Sequence, residues 1–277
     1  MKIINHRLYH DDNTPYPFRP TPNMSKTLKP EYLIMHYTAS SNAEDAIRWL
    51  TNSRVKASAH LVIARDGNIT QLVPFDTRAW HAGRSSWQGL SGLNKYSIGI
   101  ELDNAGPLTR SYNGQWLTWS NDPINDDQVT ELLVHKNENV LRHWHMYSKE
   151  QLLVAREVAV LLREHYHLKD IIGHDDVAPG RKIDPGPAFP MESFRSSLFG
   201  RVNDESDEEV FYTTVTLNIR TGPGTQYETL SAGPLPRGTR VVLLAGSGSW
   251  KQVDVLGEVR GVIDIQGWVH KRFIEPI

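Results

Sequence analysis

The spacing of apolar and polar positions divides the chain into segments of distinct texture. The first thirty residues are rich in Pro and Asn and have no periodic apolar pattern, which predicts an extended arm running over the surface. EYLIMHYTA, residues 31–39, is continuously apolar up to a cluster of turn-formers, as in a buried strand. SNAEDAIRWL follows, and Ser41 with Glu44 three positions on reads as a capping box opening a helix. SAHLVIARDGNITQLVPF holds two β-rich runs around Asp66-Gly67-Asn68, the pattern of a tight hairpin. YSIGIELDN is another apolar strand, with Glu101 near its end.

Residues 104–148 carry Trp116, Trp119 and Trp144 among many polar positions and read as a long insertion. KEQLLVAREVAVLLREHYHL then has helical spacing, with Leu153, Glu157 and Leu161 on one stripe and Val154, Val158 and Leu162 on the next. DIIGH is a short strand leading into the loop DDVAPGRKIDPGPAFP. Strands alternating with helices predict an α/β domain over residues 1–203, a mixed central β-sheet flanked by helices. RVNDESDEEV reads as a solvated acidic linker. Beyond it the texture changes to short apolar runs punctuated by Gly and Pro, with no helical period, which predicts a small all-β barrel domain over residues 210–277.

Composition narrows the class. The 277 residues are 39% hydrophobic and 22% charged with a formal net charge of -2, an ordinary globular balance without the basic excess of a nucleic-acid binder. The N-terminus lacks the apolar core of a secretory signal, and no window reaches the roughly 18 apolar residues of a membrane span. A nucleic-acid or membrane partner is therefore not expected, and a cytoplasmic location is. With no cysteine, disulfides, thiolate metal sites and cysteine nucleophiles are excluded. Any zinc must be held by His and Asp/Glu.

His36 closes the first apolar strand, where a lone histidine is either a satisfied core residue or a ligand. His174 and Asp184 lie ten positions apart in a loop that Pro179, Gly180 and Pro185 keep from forming a helix. A rigid loop there brings both side chains to one point, with His36 as a third donor and a position left for water. Spacing alone is a weak signal, because the chain has no local metal motif of the HExxH kind.

The motifs HYTAS, SAHLVIARDG, AWHAGRSSW, SIGIELDN and GHDDVAPGRKIDPGPAF, in that order, resemble the type 2 N-acetylmuramoyl-L-alanine amidases, the zinc family related to peptidoglycan recognition proteins and to phage T7 lysozyme. The resemblance covers roughly residues 30–190. It implies a Zn2+ cofactor held by His36, His174 and Asp184, with Glu101 as the catalytic acidic residue and Lys182 as the family lysine two positions before the aspartate. All five positions are intact. The implied reaction is hydrolysis of the amide between N-acetylmuramic acid and the L-alanine of the stem peptide, in peptidoglycan or in soluble muropeptides. LNIRTGPGTQYETL is similar to the bacterial SH3-like domain found on cell-wall hydrolases, which implies binding of wall peptides or self-association.

Further residues in these motifs are expected at the substrate, each against a plain structural reading. His60 and His81 either line the cleft or are hydrogen-bonded core histidines. Trp80 either stacks on a sugar or packs inside, and the same holds for Trp87. Arg84, Asn104 and Arg181 are candidate polar contacts, Arg181 to a stem-peptide carboxylate. Asp175 and Asp176 read as supporting or capping residues, and the insertion histidines His135, His143 and His145, with His167, match no metal spacing. Two other readings stay open: a non-catalytic peptidoglycan-binding protein, and a zinc peptidase cutting within the stem peptide. The SH3-like segment also leaves open an exported enzyme acting on the wall by a signal-independent route.

Overall fold

Each strand that ends at a candidate functional residue lies in one five-stranded sheet of the computed structural model, which describes residues 1–199, 210–262 and 265–276. The elements in chain order are β1 (Tyr32–Tyr37), α1 (Ala43–Leu50), β2 (Leu61–Ile63), β3 (Ile69–Gln71), β4 (Ser97–Leu102), α2 (Lys149–Tyr166), β5 (Asp170–Gly173), α3 (His174–Val177) and α4 (Met191–Phe199). The sheet order is β5-β1-β4-β2-β3. The first four strands run parallel, and only β3 is antiparallel, because it returns from β2 through the tight Asp66–Asn68 turn. Gly67 in that turn sits at φ +85, and the Asn68 amide donates to Asp66 Oδ1 at 3.0 Å.

Alternation along the strands divides the core. Leu33 and Met35 of β1 and Ile98, Ile100 and Leu102 of β4 pack with Ala155, Val158, Ala159 and Leu162 of α2. Fully burying each Leu or Ile contributes about 1.5–3 kcal/mol. Ile34, Ile172, Ala82 and Leu93 form a separate cluster. His36 has the parity of Ile34, and Glu101 the parity opposite to Ile100, so both turn away from α2.

Several local expectations shift. The N-cap of α1 is Asn42, whose side chain accepts from the Asp45 amide at 2.9 Å; Ser41 instead donates to Asp122 Oδ2 of the insertion at 2.5 Å. The buried face of α2 is Gln151, Ala155, Val158, Ala159 and Leu162, while Leu153 points outward, because the small alanines allow close approach to the sheet. The first thirty residues are more than a surface arm: they hold a hairpin, Lys2–Ile4 with Arg7–Tyr9, and a strand, Met24–Thr27, paired with Thr77–Ala79, and Leu8 is fully buried. One turn of helix, α3, opens the loop expected to be free of helix, and the chain from Ala178 to Asp184 is irregular. The insertion is an antiparallel five-stranded sheet of its own, in the order Pro123–Ile124, Trp116–Leu117, Pro107–Arg110, Leu141–Trp144, Leu133–Val134.

By internal contacts the chain divides into two units, Met1–Gly200 and Arg201–Ile277. The expected acidic linker lies outside the described residues up to Val210, which opens a strand. The second unit is an antiparallel five-stranded sheet in the order β9-β8-β7-β6-β10, where β6 is Val210–Thr213, β7 Arg240–Ser247, β8 Trp250–Val255, β9 Gln266–His270 and β10 Ile274–Pro276. Leu217, Ile219, Leu235, Val241, Val253 and Val269 form its core. Its helical content among the described residues is a single 3-10 turn, Lys271–Phe273. No helix among the described residues is long and apolar enough to cross a membrane.

Candidate metal centre and cleft

Three neighbouring parallel strands bring the key residues together. In β1, His36 is paired in register with Glu101 of β4, and on the other side Gly173 of β5 is paired with Met35, so His174 emerges one step beyond, level with His36. The cluster therefore forms at the carboxyl ends of the strands, where open α/β sheets place their ligands. The loop after α3 turns back and adds Asp184, whose carbonyl accepts from the Asp175 amide at 2.8 Å.

The donor atoms make a tight triangle. His36 Nδ1 lies 3.0 Å from His174 Nδ1 and 2.9 Å from Asp184 Oδ2, and His174 Nδ1 lies 2.8 Å from the same oxygen. All three residues are buried. Among the described residues they are the one His/Cys/Asp/Glu group whose donor atoms converge in this way.

The surrounding hydrogen bonds assign the tautomers. His81 Nε2 faces the Ser97 carbonyl at 3.2 Å, and a carbonyl only accepts, so Nε2 carries the hydrogen. Burial, with His36 as the nearest imidazole, holds His81 well below its ordinary pKa and hence neutral. Its Nδ1 is then an acceptor, and His36 Nε2 donates to it at 3.0 Å. That leaves a lone pair on His36 Nδ1. At His174, Nε2 lies 3.2 Å from the Ala82 carbonyl and 3.4 Å from the donor-only Arg181 guanidinium, which is itself bonded to that carbonyl at 2.8 Å; donation to the nearer carbonyl leaves Nδ1 its lone pair. Burial and the adjacent His174 push His36 down to about 4. Burial disfavours the ionised form of Asp184, but the His174 and His36 imidazoles packed against its Oδ2 hold its carboxyl far below the usual range. Two imidazole lone pairs and a carboxylate oxygen thus converge with no hydrogen between the two nitrogens. A divalent cation that accepts all three pairs resolves that contact, so the donor set fits zinc.

A cleft of about 320 Å³ opens on this cluster. Its walls include Glu101, Lys182, Trp80, His81, Arg181 and Trp49. Glu101 Oε2 is buried and has no hydrogen-bond partner. Burial, followed by the charge of Asp184, raises the Glu101 pKa well above the ordinary carboxyl value. A partnerless carboxylate oxygen at the cleft is costly to maintain without a function. Gly99 is required two positions earlier on the strand, because a Cβ there would lie 2.5 Å from the His81 ring.

The remaining candidates separate. Trp80 is half-buried on the cleft wall, with its indole N–H donating to Ser25 Oγ at 3.1 Å. His81 borders the cleft, but both its ring nitrogens are engaged with His36 and Ser97. Arg181 donates to the carbonyls of Ala82 at 2.8 Å and Arg84 at 2.7 Å. His60 is fully buried, with Nε2 on the Thr77 carbonyl and Nδ1 accepting from the Gly99 amide, and it does not line the cleft. Asn104 lies inside the protein, donating to the His145 carbonyl and accepting from the Gly106 amide. Arg84 is exposed outside the cleft wall, and Trp87 packs beside the Ile34 cluster. Sequence reasoning did not find Trp49, 61% exposed at the cleft on α1, whose only trace in the sequence is an aromatic on the polar face of an amphipathic helix.

A sequence model of the family described as N-acetylmuramoyl-L-alanine amidase matches residues 26–187. The chain belongs to this family. The 1,6-anhydro-N-acetylmuramyl-L-alanine amidase AmpD of Enterobacter cloacae is 35% identical over 153 residues, 55% of this chain and 61% of that protein. The N-acetylmuramoyl-L-alanine amidase AmiD of Escherichia coli K12 is 30% identical over 175 residues, 61% of this chain and 53% of that protein. The chain thus spans about three fifths of the length of the curated relatives it matches. A crystal structure of a selenomethionine AmpD derivative superposes with a TM-score of 0.49 at 26% identity, covering 70% of this chain and 97% of the other.

Proposed function

We propose that the protein is a zinc-dependent N-acetylmuramoyl-L-alanine amidase that hydrolyses the amide joining the lactyl group of N-acetylmuramic acid to L-alanine of the stem peptide. The observation that carries this reading is that the His36–His174–Asp184 triangle and Glu101, whose buried Oε2 has no hydrogen-bond partner, line one cleft. Membership of the amidase family, and relatives named for the anhydromuramyl-L-alanine bond, support the choice of bond.

His36, His174 and Asp184 hold the ion. Zinc, when bound there, polarises the scissile carbonyl and lowers the pKa of water to about 7. Glu101 takes the proton of the attacking water and delivers it to the departing amide nitrogen. Its raised pKa suits both halves of that transfer, since the carboxyl must first accept and then release. Lys182, on the same wall, sets a cation beside the oxyanion that develops on the former carbonyl. The C–N bond breaks, water supplies OH to the lactyl carbon, and the proton goes to the alanine nitrogen. His81 and the Ala82 carbonyl keep the two imidazoles in the ligating tautomer. Trp80 and Trp49 supply the aromatic surface of the substrate channel.

The test is mass spectrometry of products from zinc-loaded protein given intact sacculi and soluble anhydromuropeptides side by side. Free stem peptides beginning with L-alanine are expected, and the faster substrate distinguishes muropeptide recycling from wall lysis. Cleavage within the stem would instead make the protein a peptidase. Binding without cleavage of either substrate would make it a wall-binding module.

A further inference from the structure

The metal-bearing loop is held from outside by three consecutive residues of the insertion. The turn after Leu133–Val134 carries His135, Lys136 and Asn137, and each reaches the first turn of α3. His135 Nε2 lies 3.0 Å from Asp175 Oδ2, and both side chains are almost fully buried. His135 Nδ1 accepts from the Asn137 amide at 3.2 Å, so Nε2 carries the hydrogen and donates to the carboxylate. Lys136 Nζ lies 2.8 Å from Asp175 Oδ1 and 2.6 Å from Asp176 Oδ1. Asn137 Nδ2 donates to the Asp175 carbonyl at 2.8 Å. The Asp175 Oδ2 and carbonyl are hydrogen-bonded by the insertion and its amide by the Asp184 carbonyl at 2.8 Å, while Oδ1, buried and without a hydrogen bond, has the Lys136 ammonium as its ion-pair partner.

Asp175 sits between two of the three donors. It follows His174 directly in the chain and is bonded to the backbone of Asp184. Displacing it moves one imidazole and one carboxylate of the triangle together. Asp176 reinforces the same turn by accepting from the Gly173 amide at 2.8 Å. Farther along the loop, Tyr147 donates to the Pro185 carbonyl at 2.7 Å, so the segment is tied on both sides of Asp184.

We infer that His135, Lys136 and Asn137 are positioning residues for the metal centre and act on it through Asp175. None of them touches the donor triangle, and none lines the catalytic cleft. Their role is to hold α3 where His174 and Asp184 meet His36. The inference rests on the proposed zinc centre.

The experiment measures zinc affinity of the full chain by competition with a chelating dye, alongside thermal melting of the metal-free protein. His135→Ala is expected to bind zinc about 10–100-fold more weakly, the usual cost of removing an outer partner of a ligand. His135→Gln, which keeps an N–H donor, is expected to recover most of that loss. In an Asp175→Ala background, His135→Ala should have no further effect on zinc affinity. If His135→Ala lowers metal-free melting so far that little folded protein remains, half-exposed Lys136→Met and Asn137→Ala carry the test, each expected to weaken zinc several-fold with melting unchanged. Wild-type zinc affinity in folded variants, or losses at His135 and Asp175 that simply multiply, would overturn the inference. A wild-type protein that takes up no zinc would overturn the metal-centre reading itself.

Discussion

Glu101 and His36 are in-register neighbours on adjacent parallel strands, and their side chains leave the sheet on the same face. The pairing fixes the carboxylate beside the donor triangle without making it a member, since the convergent donors are His36, His174 and Asp184. Removing its charge should therefore separate binding from turnover. Glu101→Gln is expected to keep wild-type zinc content and lose about 10²–10⁴-fold in kcat on a muropeptide. Metal analysis of the purified variant together with steady-state rates checks this, and wild-type turnover would show that another group moves the proton.

The ligands should behave in the opposite way. His36→Ala, His174→Ala and Asp184→Ala each leave two donors, fewer than the three protein ligands of a catalytic zinc site. Zinc and activity are expected to be lost together in all three. Zinc at 1,000 times its Kd adds about 4 kcal/mol to the wild-type fold by mass action. Wild-type melting should accordingly rise on adding zinc, while melting of the three variants should not respond. A zinc-dependent rise in any one of them would remove that residue from the donor set.

Acid should destabilise the metal-free fold through its buried neutral histidines. Burial pushes His60 down to about 4, and it pushes His145 down to a similar value. In the unfolded chain these imidazoles titrate near 6.5, so between pH 6.5 and about 4 the unfolded state binds more protons than the folded one. Stability is therefore full above pH 6.5 and falls as pH drops toward 4, by about 1.4 kcal/mol per pH unit for each such group. Urea unfolding of metal-free wild type and His60→Gln across this range checks the slope. It should be shallower in the variant, and an identical slope would mean that His60 is not held neutral.

The central sheet was legible because its strands are buried on both faces and read as nearly unbroken apolar runs, in YLIMHY and SIGIEL, each with its functional residue next to last. The loop carrying His174 and Asp184 was legible through its Gly and Pro punctuation. What could not be read is whatever depends on partners distant in sequence. The two nitrogens of His81 are assigned only once Ser97 and His36 are known to flank it. His60 looks the same as a ligand in sequence, yet it bridges Thr77 and Gly99 inside the core. The insertion hid its sheet because its strands are two to four residues long, too short for an alternating pattern to register.

His81 offers a separable test of the tautomer relay. It fixes the hydrogen of His36 on Nε2 and so leaves Nδ1 free. His81→Phe keeps a ring in the space against Gly99 but removes the acceptor. Zinc affinity is expected to fall about 10–100-fold, with kcat at saturating zinc changed much less. His81→Asn, which can still accept from His36, should recover part of the loss. If the ring contacted substrate instead, KM would rise at saturating zinc and zinc affinity would stay unchanged.

The second unit has its own apolar core of Leu217, Ile219, Leu235, Val241, Val253 and Val269, and every residue of the donor triangle and the cleft lies in the first unit. Because every residue proposed for the chemistry lies in the first unit, turnover of a small substrate is expected to need only that unit. A polymeric wall, by contrast, presents many equivalent peptides, and a second binding module raises the effective concentration of the first at its surface. Deleting residues 210–277 is therefore expected to leave kcat/KM on soluble muropeptides within about two-fold of wild type while slowing solubilisation of sacculi by about 10–100-fold. Parallel assays of the full chain and the truncated chain on both substrates decide this. An equal loss on both would assign residues 210–277 a role in folding the first unit, and no loss on either would leave wall binding to the amidase cleft alone.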